Sequence, residues 1–532
     1  MSEAHWYGAA QVREQLWPID QWQRPLSPFI NGNSFDDDYG GVQHRYFLAS
    51  DGTAVTVEWD VPLWVSFNDS GDNSLCLQGS YKDSPYNNLH NTPLYFNYTA
   101  CNGINMKRMH QFIVETKLGK PTGVPDSRMF RYPIWSTWAQ YHKDINESIV
   151  LSYAQDILDH NFTNSQLEID DKWESAYGEL DFDSDKFPDP AAMVKTLSDM
   201  GFRTTLWIHP FTQVTTDDFL QSAIKLQLVR DPGRQLPGLV TWWNGIGGLL
   251  DFTNNRTIED FSAKLQSLRS KYNISSFKFD AGEVNWLPAA YSLNTPSSNP
   301  SRFTNRYAKA AYEIDKWQRN LEVRVGARTQ SLPVFVRMMD KISTWGYDMG
   351  LKSMIPTALT FSILGYPFIL PDMIGGNAYN GVEPDRELYI RWVEANAFLP
   401  AIQFSIPPWK FDDEVVSICQ YYVKLHEEYA DEMIRLANIA VITGDPIIRP
   451  LWWIDYRHEA ALTSDQQFLV GNDILVAPVV EAGARSRDIF IPTGKWHDML
   501  RGDLVEGPKW LVDYKVELHE LAYFTSFEPN EI

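Results

Sequence analysis

Cysteine is nearly absent, at three residues in a chain of 532, with no Cys-x-x-Cys pair, no Cys/His ladder and no His-Glu-x-x-His string. Nothing here supports a structural zinc module or a zincin site, and the chemistry needs no metal or other cofactor. Cations are also short: 46 Lys and Arg against 68 Asp and Glu leave a net charge of −22. Such a surface repels phosphate backbones and anionic membranes, so a nucleic-acid partner is excluded and a neutral ligand fits best. No Gly-rich nucleotide fingerprint follows a strand, which removes the kinase and dinucleotide-oxidoreductase readings. No basic start and apolar run opens the chain, so any secretion signal or membrane anchor is expected to lie outside it. The longest uncharged apolar stretch, Met354 to Pro371, is broken by Pro356, Gly365 and Pro367 and followed by Asp372. It reads as a buried helix leading into a buried strand rather than a membrane span.

Aromatic residues, by contrast, are abundant, at 14% with 20 Trp. Indoles fill cores, and they also stack on flat apolar faces such as those of sugars. Six Asn-x-Ser/Thr sequons, at Asn68, Asn97, Asn146, Asn161, Asn255 and Asn273, favour a luminal or extracellular glycoprotein. Cys76 and Cys101 lie in strand-like surroundings and have the option of pairing; Cys419 reads as a buried thiol in a helix.

The length calls for more than one domain. Residues 1–122 alternate apolar and polar positions, as in Val55-Thr-Val-Glu-Trp and Leu63-Trp-Val-Ser-Phe, between turns at Asn31-Gly-Asn, Asp51-Gly and Ser70-Gly-Asp. They predict an N-terminal β-sandwich, incomplete if the family pattern begins earlier. Residues 123–440 change rhythm to strand, loop and helix. Predicted strands are Arg131–Trp135, Leu167–Asp170, Thr204–His209, Ser276–Asp280, Glu322–Gly326, Lys341–Thr344, Tyr366–Leu370 and Ala401–Phe404. That is the count of an α/β (β/α)8 TIM barrel. Residues 441–532 return to short strands, such as Ile474–Ala477, Asp488–Ile491 and Lys515–Leu518, and predict a C-terminal β-sandwich. No fixed-period repeat or low-complexity segment occurs.

In such barrels chemistry sits at the C-terminal strand ends. There the chain places Trp135-Ser-Thr-Trp138, Asp170-Asp-Lys-Trp173, Trp207-Ile-His209, Asp280-Ala-Gly-Glu283 and Pro371-Asp372. Carboxylates and indoles gathered at one rim suit cleavage of an acetal, where one carboxylate attacks and a second protonates the leaving oxygen. Asp280 ends an apolar strand, and Lys278 nearby favours its ionised form. A helix N-cap is the competing role for such an Asp.

Phe277-Lys-Phe-Asp-Ala-Gly-Glu283 resembles the nucleophile box of glycoside hydrolase family 31. Leu364–Gly376 resembles that family's barrel motif ending in Asp-Ile-Gly-Gly, and Gly444–Pro450 and Gly471–Pro478 resemble its C-terminal domain. His5-Trp-Tyr-Gly, Tyr132–Trp138 and Trp345-Gly-Tyr-Asp348 are closest to an α-galactosidase-like branch. The resemblance implies a retaining α-glycosidase with Asp280 as nucleophile and Asp340 as acid/base, the latter needing a raised pKa. Asp348 is the rival acid, but it also fits the N-cap of a helix predicted over Met349–Leu364. Asp170, Asp171, Trp207, Trp243, Lys278, Arg328, Arg337 and Asp372 are the expected substrate-binding residues, with Trp207 and Trp243 as pocket walls and Asp372 more structural than chemical. His209 divides evenly between packed residue and ligand. One departure stands out: where family α-glucosidases carry Arg-x-His in the eighth-strand segment, this chain reads Gln403-Phe-Ser405. Galactose is therefore the first expectation for the sugar of an oligosaccharide or glycoconjugate substrate. A glucosidase or xylosidase of the same family, an idle glycan-binding relative, and self-association all stay open.

Overall fold

The computed structural model describes residues 1, 3–33, 35, 39–82, 85–86 and 92–527. Its centre is a sheet of eight parallel strands. In chain order these are Ile134–Ser136, Gln166–Ile169, Thr204–Ile208, Ser276–Phe279, Glu322–Val323, Phe335–Arg337, Ile369–Leu370 and Gln403–Phe404. The eighth strand pairs with the first. A parallel bridge between Met373 and Gln403, with the Ile374 amide donating to the Gln403 carbonyl at 2.9 Å, closes the barrel just past the seventh.

Strand alternation divides the side chains by face. Phe277 and Phe279 point outwards: the Arg269 guanidinium lies 5.3 Å from the Phe277 ring, and Phe279 meets Tyr307 of the helix Arg302–Asp315 at 6.3 Å. Lys278 points inwards, with Glu168 of the second strand at 4.0 Å and the charge of Glu322 of the fifth acting on it. The outer helices carry local stop and start signals. Asp189 caps Pro190–Asp199 by accepting from the Ala192 amide, and Gly201, at φ +93°, ends that turn where a side chain would be strained.

Three sequence expectations need correcting. The sixth strand is Phe335–Arg337, not Lys341–Thr344; the Lys341 amide donates to the Asp372 carboxylate instead of a sheet partner. Arg337 thereby becomes a strand-end residue, and Asp340 lies on the loop beyond it. The helix expected over Met349–Leu364 splits into a 3-10 turn, Leu351–Ser353, and a helix, Met354–Ile363. Asp348 caps neither, and is ion-paired with Arg13 at 2.7 Å with half its side chain exposed. Cys76 and Cys101 are both free and sit on different sheets. In addition, the last long strand, Leu504–Lys515, ends where the sequence suggested that one began.

At the N-terminus a four-stranded antiparallel sheet (Trp6–Val12, Tyr39–Ala49, Thr53–Val57, Tyr98–Asn102) faces a three-stranded one (Arg24–Pro28, Leu63–Phe67, Leu75–Gly79). Phe29, Phe47, Leu63 and Phe67 form their shared core. This unit props the barrel rim: Asn31 donates to the Gly326 carbonyl at 3.2 Å, and Val42 bridges Gly326. A Cβ on Gly41 would fall 2.6 Å from the Arg324 carbonyl, so only glycine permits that approach. The C-terminal region is a six-stranded antiparallel sheet with its own core around Leu469, Leu475, Phe490 and Trp496.

Arg391, fully buried on the helix Arg386–Asn396, clamps that sheet to the barrel. Its guanidinium donates to Glu394 at 2.9 Å and to the carbonyls of Glu517, Glu520, Ala484 and Val516 at 3.0–3.2 Å. Removing one partner of a buried pair leaves the other charge unpaired, at about 3–5 kcal/mol. Arg391→Met should therefore lower Tm by several degrees in a calorimetric scan, and Arg391→Met combined with Glu394→Gln should recover part of the loss. An unchanged Tm in the single variant would contradict the clamp.

Candidate active site

The fourth, fifth and sixth strands deliver charge to one point on the rim. Asp280 follows the fourth strand, its amide still bonded to the Ile208 carbonyl at 2.8 Å and its own carbonyl accepting from Tyr307 at 2.7 Å. The carboxylate accepts from Trp207 Nε1 at 2.8 Å on one oxygen, and meets Arg337 Nη2 and Arg324 Nε at 3.1 Å each on the other. Asp340 accepts from Arg337 Nη1 at 2.8 Å, lies 3.6 Å from Arg324 Nη1, and accepts the hydroxyl of Tyr379. The facing oxygens of the two carboxylates thus share the same two guanidinium groups. Their side chains are 11% and 14% exposed, enough for a reactant to reach either.

Asp372 completes the set from the end of the seventh strand. One of its oxygens takes Arg337 Nη1 at 3.1 Å, and the other takes the Lys341 amide and the Asn377 side chain at 2.7 Å. Arg337 Nε lies 3.1 Å from Glu322 Oε1, paired by charge though not aligned for a hydrogen bond.

Burial opposes ionisation at Asp280, but the charges of Arg324 and Arg337 outweigh it and hold the carboxyl below its usual range. Lys278, the residue expected to do this, contributes less; its ammonium is spent on Asp170 at 2.9 Å. Asp340 also departs from expectation. Burial alone would raise its pKa, yet Arg337, Arg324 and the Tyr379 hydroxyl drive it well below the usual carboxylate range, so the ligand-free site holds it ionised. Burial instead raises Asp372, Glu322 and, most of all, Glu168.

The remaining expected residues divide. Trp207 serves the site as a hydrogen-bond donor to Asp280 rather than as a stacking wall. Trp243 stands at the turn of an inserted hairpin, 41% exposed and edge-on to Trp286 at 5.4 Å, with the Arg324 guanidinium 5.5 Å from its ring. Asp170 is buried on Lys278. Asp171 accepts from Tyr177 at 2.8 Å, with Asn244 at 3.5 Å and Lys143 at 3.9 Å; burial raises its pKa. Arg328 is not brought to the cluster. The fifth strand ends at Val323, and the chain turns so that the Arg328 guanidinium lies 5.6 Å from the Trp59 ring of the N-terminal unit. His209 is a packed residue, fully buried on Glu174 at 3.0 Å.

Two residues of the site went unforeseen. Arg324 was legible in principle, since the strand expected over Glu322–Gly326 puts it two positions from Glu322 and so on the same face. Tyr379 had no signal: it sits in a loop beyond Gly376, where Trp138 Nε1 donates to its hydroxyl at 3.2 Å. On the eighth strand, Gln403 donates to Glu168 at 2.7 Å and the Ser405 hydroxyl accepts from the Gln140 amide at 3.2 Å.

A carboxylate pair held at a barrel rim among indoles defines a glycoside hydrolase. Residues 129–433 match the glycosyl hydrolases family 31 TIM-barrel domain, and residues 444–526 match the family's C-terminal domain. The chain belongs to glycosyl hydrolase family 31. It is 45% identical over 98% of its length to the myogenesis-regulating glycosidase of Mus musculus, covering 74% of that protein. It is 30% identical, with the same shares covered, to the SITS-binding protein of Tetronarce californica. Among solved structures, a GH31 alpha-xylosidase from a soil metagenome complexed with xylose aligns with a TM-score of 0.82 at 20% identity, over 99% of this chain and 78% of its own. That likeness speaks to the fold.

Arg324 lowers the pKa of both carboxyls, so its removal should raise both. If an ionised Asp280 and a protonated Asp340 are what activity requires, Arg324→Gln moves both limbs of the pH profile of kcat/KM to higher pH. Limbs that stay in place, or that move down, would show that Arg324 does not set these charges.

Proposed function

We propose that the protein is a retaining α-glycosidase whose first substrate is a terminal α-galactoside. The observation that carries the reading is the pair of carboxylates, Asp280 and Asp340, bridged by the same two guanidinium groups. Such sharing favours the close spacing of about 5–5.5 Å used for double displacement, over the wider gap that holds a water between two carboxylates.

In the proposed cycle Asp280, kept ionised by Arg324 and Arg337, attacks the anomeric carbon. The bond to the leaving oxygen breaks as that oxygen takes the proton of Asp340. Asp340, now a carboxylate, then removes a proton from water, which attacks the same carbon and releases Asp280, so the sugar departs with its configuration retained. Trp207 and the guanidinium groups orient the nucleophile, and Trp243 and Trp286 form an indole wall for the sugar or its neighbour. Asp170 and Asp171 offer acceptors for hydroxyls far from the scissile bond.

The sugar reading rests on the eighth strand. Gln403 is committed to Glu168 and Ser405 to Gln140, so no imidazole serves the sugar there. The resemblance to an α-galactosidase-like branch points the same way. For location, a secretory compartment is the matching proposal, since sequon residues Asn97, Asn161, Asn255 and Asn273 are all exposed. No described helix is long and apolar enough to cross a membrane.

A panel of aryl α-glycosides and α-galactosyl disaccharides tests the sugar. Galactoside turnover that falls by about 10⁴-fold or more in Asp280→Asn is expected; turnover of glucosides or xylosides alone would overturn the specificity. Asp340→Ala should cost about 10²–10⁴-fold on disaccharides, whose leaving oxygen needs a proton, and much less on aryl substrates with acidic leaving groups. An equal loss on both would remove Asp340 from the acid's role. Because the ligand-free site holds Asp340 ionised, the protonated fraction grows as pH falls. Disaccharide kcat/KM should therefore rise from about pH 7 to about pH 5, and a profile rising the other way would contradict the assignment.

A further inference from the structure

Away from the carboxylate pair, an open cavity of about 630 Å³ lies between the first turns of the helices Asn255–Tyr272 and Arg302–Asp315. Its lining contains five cations, Lys225, Arg230, Arg256, Arg302 and Arg306, and no carboxylate. In a chain with 22 more acidic than basic residues, that clustering runs against composition. Asp260, Asp60 and the buried Asp251, on which the charge of Arg230 acts, offset only part of this charge; the surplus of like charge repels itself and is relieved by an anion.

The partners of these five side chains sharpen the point. Lys225 and Arg302 are held at the margin by Asp260 at 3.0 Å and Asp60 at 3.6 Å, both pairs exposed. Arg230, Arg256 and Arg306 have no ion pair among the described residues, and Arg306 donates to the side chain of Asn255, which lines the same cavity, at 2.5 Å. Arg230 is only 8% exposed, its Nε is buried without a hydrogen-bond partner, and the hydrogen bond its guanidinium donates is a long contact of 3.4 Å to the Arg234 carbonyl. A guanidinium so buried and so poorly partnered is costly unless a ligand completes it. The opposite wall is fixed: Asn294 donates its amide to the buried Asp251, and Thr295 donates its amide and its hydroxyl to Thr253 at 3.0–3.1 Å. Helix first turns add amide dipoles of the same sign as the cations.

We propose that this cavity binds a tetrahedral oxyanion, a sulfate or phosphate group that is either free or carried on a saccharide, with Arg230 as the inner ligand and Arg256 and Arg306 as the outer ones. The planar forks of three guanidinium groups suit such a group better than they suit a monovalent halide. The site is independent of the glycosidase reading.

Calorimetric titration at constant ionic strength tests it, with sodium sulfate, sodium phosphate, sodium chloride, a sulfated tetrasaccharide and its desulfated counterpart. Saturable binding of sulfate or phosphate but not chloride is expected, weakened at least about tenfold, or 1.4 kcal/mol, in the Arg256→Gln/Arg306→Gln variant. Glycoside turnover should be unchanged in that variant, which shows that it is folded; Arg256→Gln alone, at an exposed position, serves if the pair fails to fold. Tighter binding of the sulfated tetrasaccharide than of sulfate would identify a saccharide-borne group, and equal binding a free ion. Absence of saturable oxyanion binding, or binding that the variants leave intact, would overturn the proposal.

Discussion

Arg337 holds the catalytic end of the barrel together. Its guanidinium, almost fully buried, reaches Asp280, Asp340 and Asp372 within 3.1 Å and faces Glu322 from below. Four carboxylates from four strand ends would repel one another in a low-dielectric interior, and one planar cation with a fixed fork of donors lets them converge. Arg324 repeats the arrangement on the outer side, adding Glu283 at 2.6 Å. The reactive geometry is thus a by-product of charge balance: the two acids that face the opening are placed by the cations they share.

Beneath this layer Glu168, Asp170 and Glu322 surround the single ammonium of Lys278, and burial disfavours the ionised form of the two glutamates. Glu168 and Glu322 stand side by side with oxygens that lack donors, and burial pushes both pKa values up, Glu168 furthest. Raised pKa values favour the neutral form of this pair, while the Lys278 ammonium lies 2.9 Å from Asp170. The flanking units then fix the loops that carry the charges. The N-terminal sheet presses Gly41 against the Arg324 backbone, and Tyr7 of the same sheet packs on Trp452 at 5.4 Å, so the terminal regions brace one another as well as the barrel.

The sequence was most legible where local pattern and tertiary role agree. Phe277-Lys-Phe-Asp280 reads as a short strand with a charged end because apolar residues alternate about one inward lysine, and the structure puts a strand there. Pattern failed where a polar side chain took over a backbone partner. Ile342-Ser-Thr has strand composition, yet Asp372 captures the Lys341 amide, and the strand lies earlier, in Phe335-Val-Arg337. Arg328 and Arg324 look equivalent in sequence, four residues apart, but the strand stops between Glu322 and Arg324 and the chain turns at Gly326, sending one into the site and the other to Trp59. Tyr379 belongs to a loop whose course is set by contacts with Trp138 and Asp340, which no local pattern encodes. The raised pKa that an acid at Asp340 needs is opposed for the same reason: the second guanidinium and the phenol reach it from elements that no local pattern connects.

The central claim is that Asp280 becomes covalently bonded to the sugar. A slow fluorinated glycosyl fluoride that accumulates the intermediate, followed by peptide mass mapping, tests this directly. The account predicts one sugar mass added to the peptide containing Phe277-Lys-Phe-Asp280, with the bond on Asp280, and no labelling of Asp280→Asn. A label on another residue, or turnover of the reagent to a product of inverted configuration without any label, would contradict it.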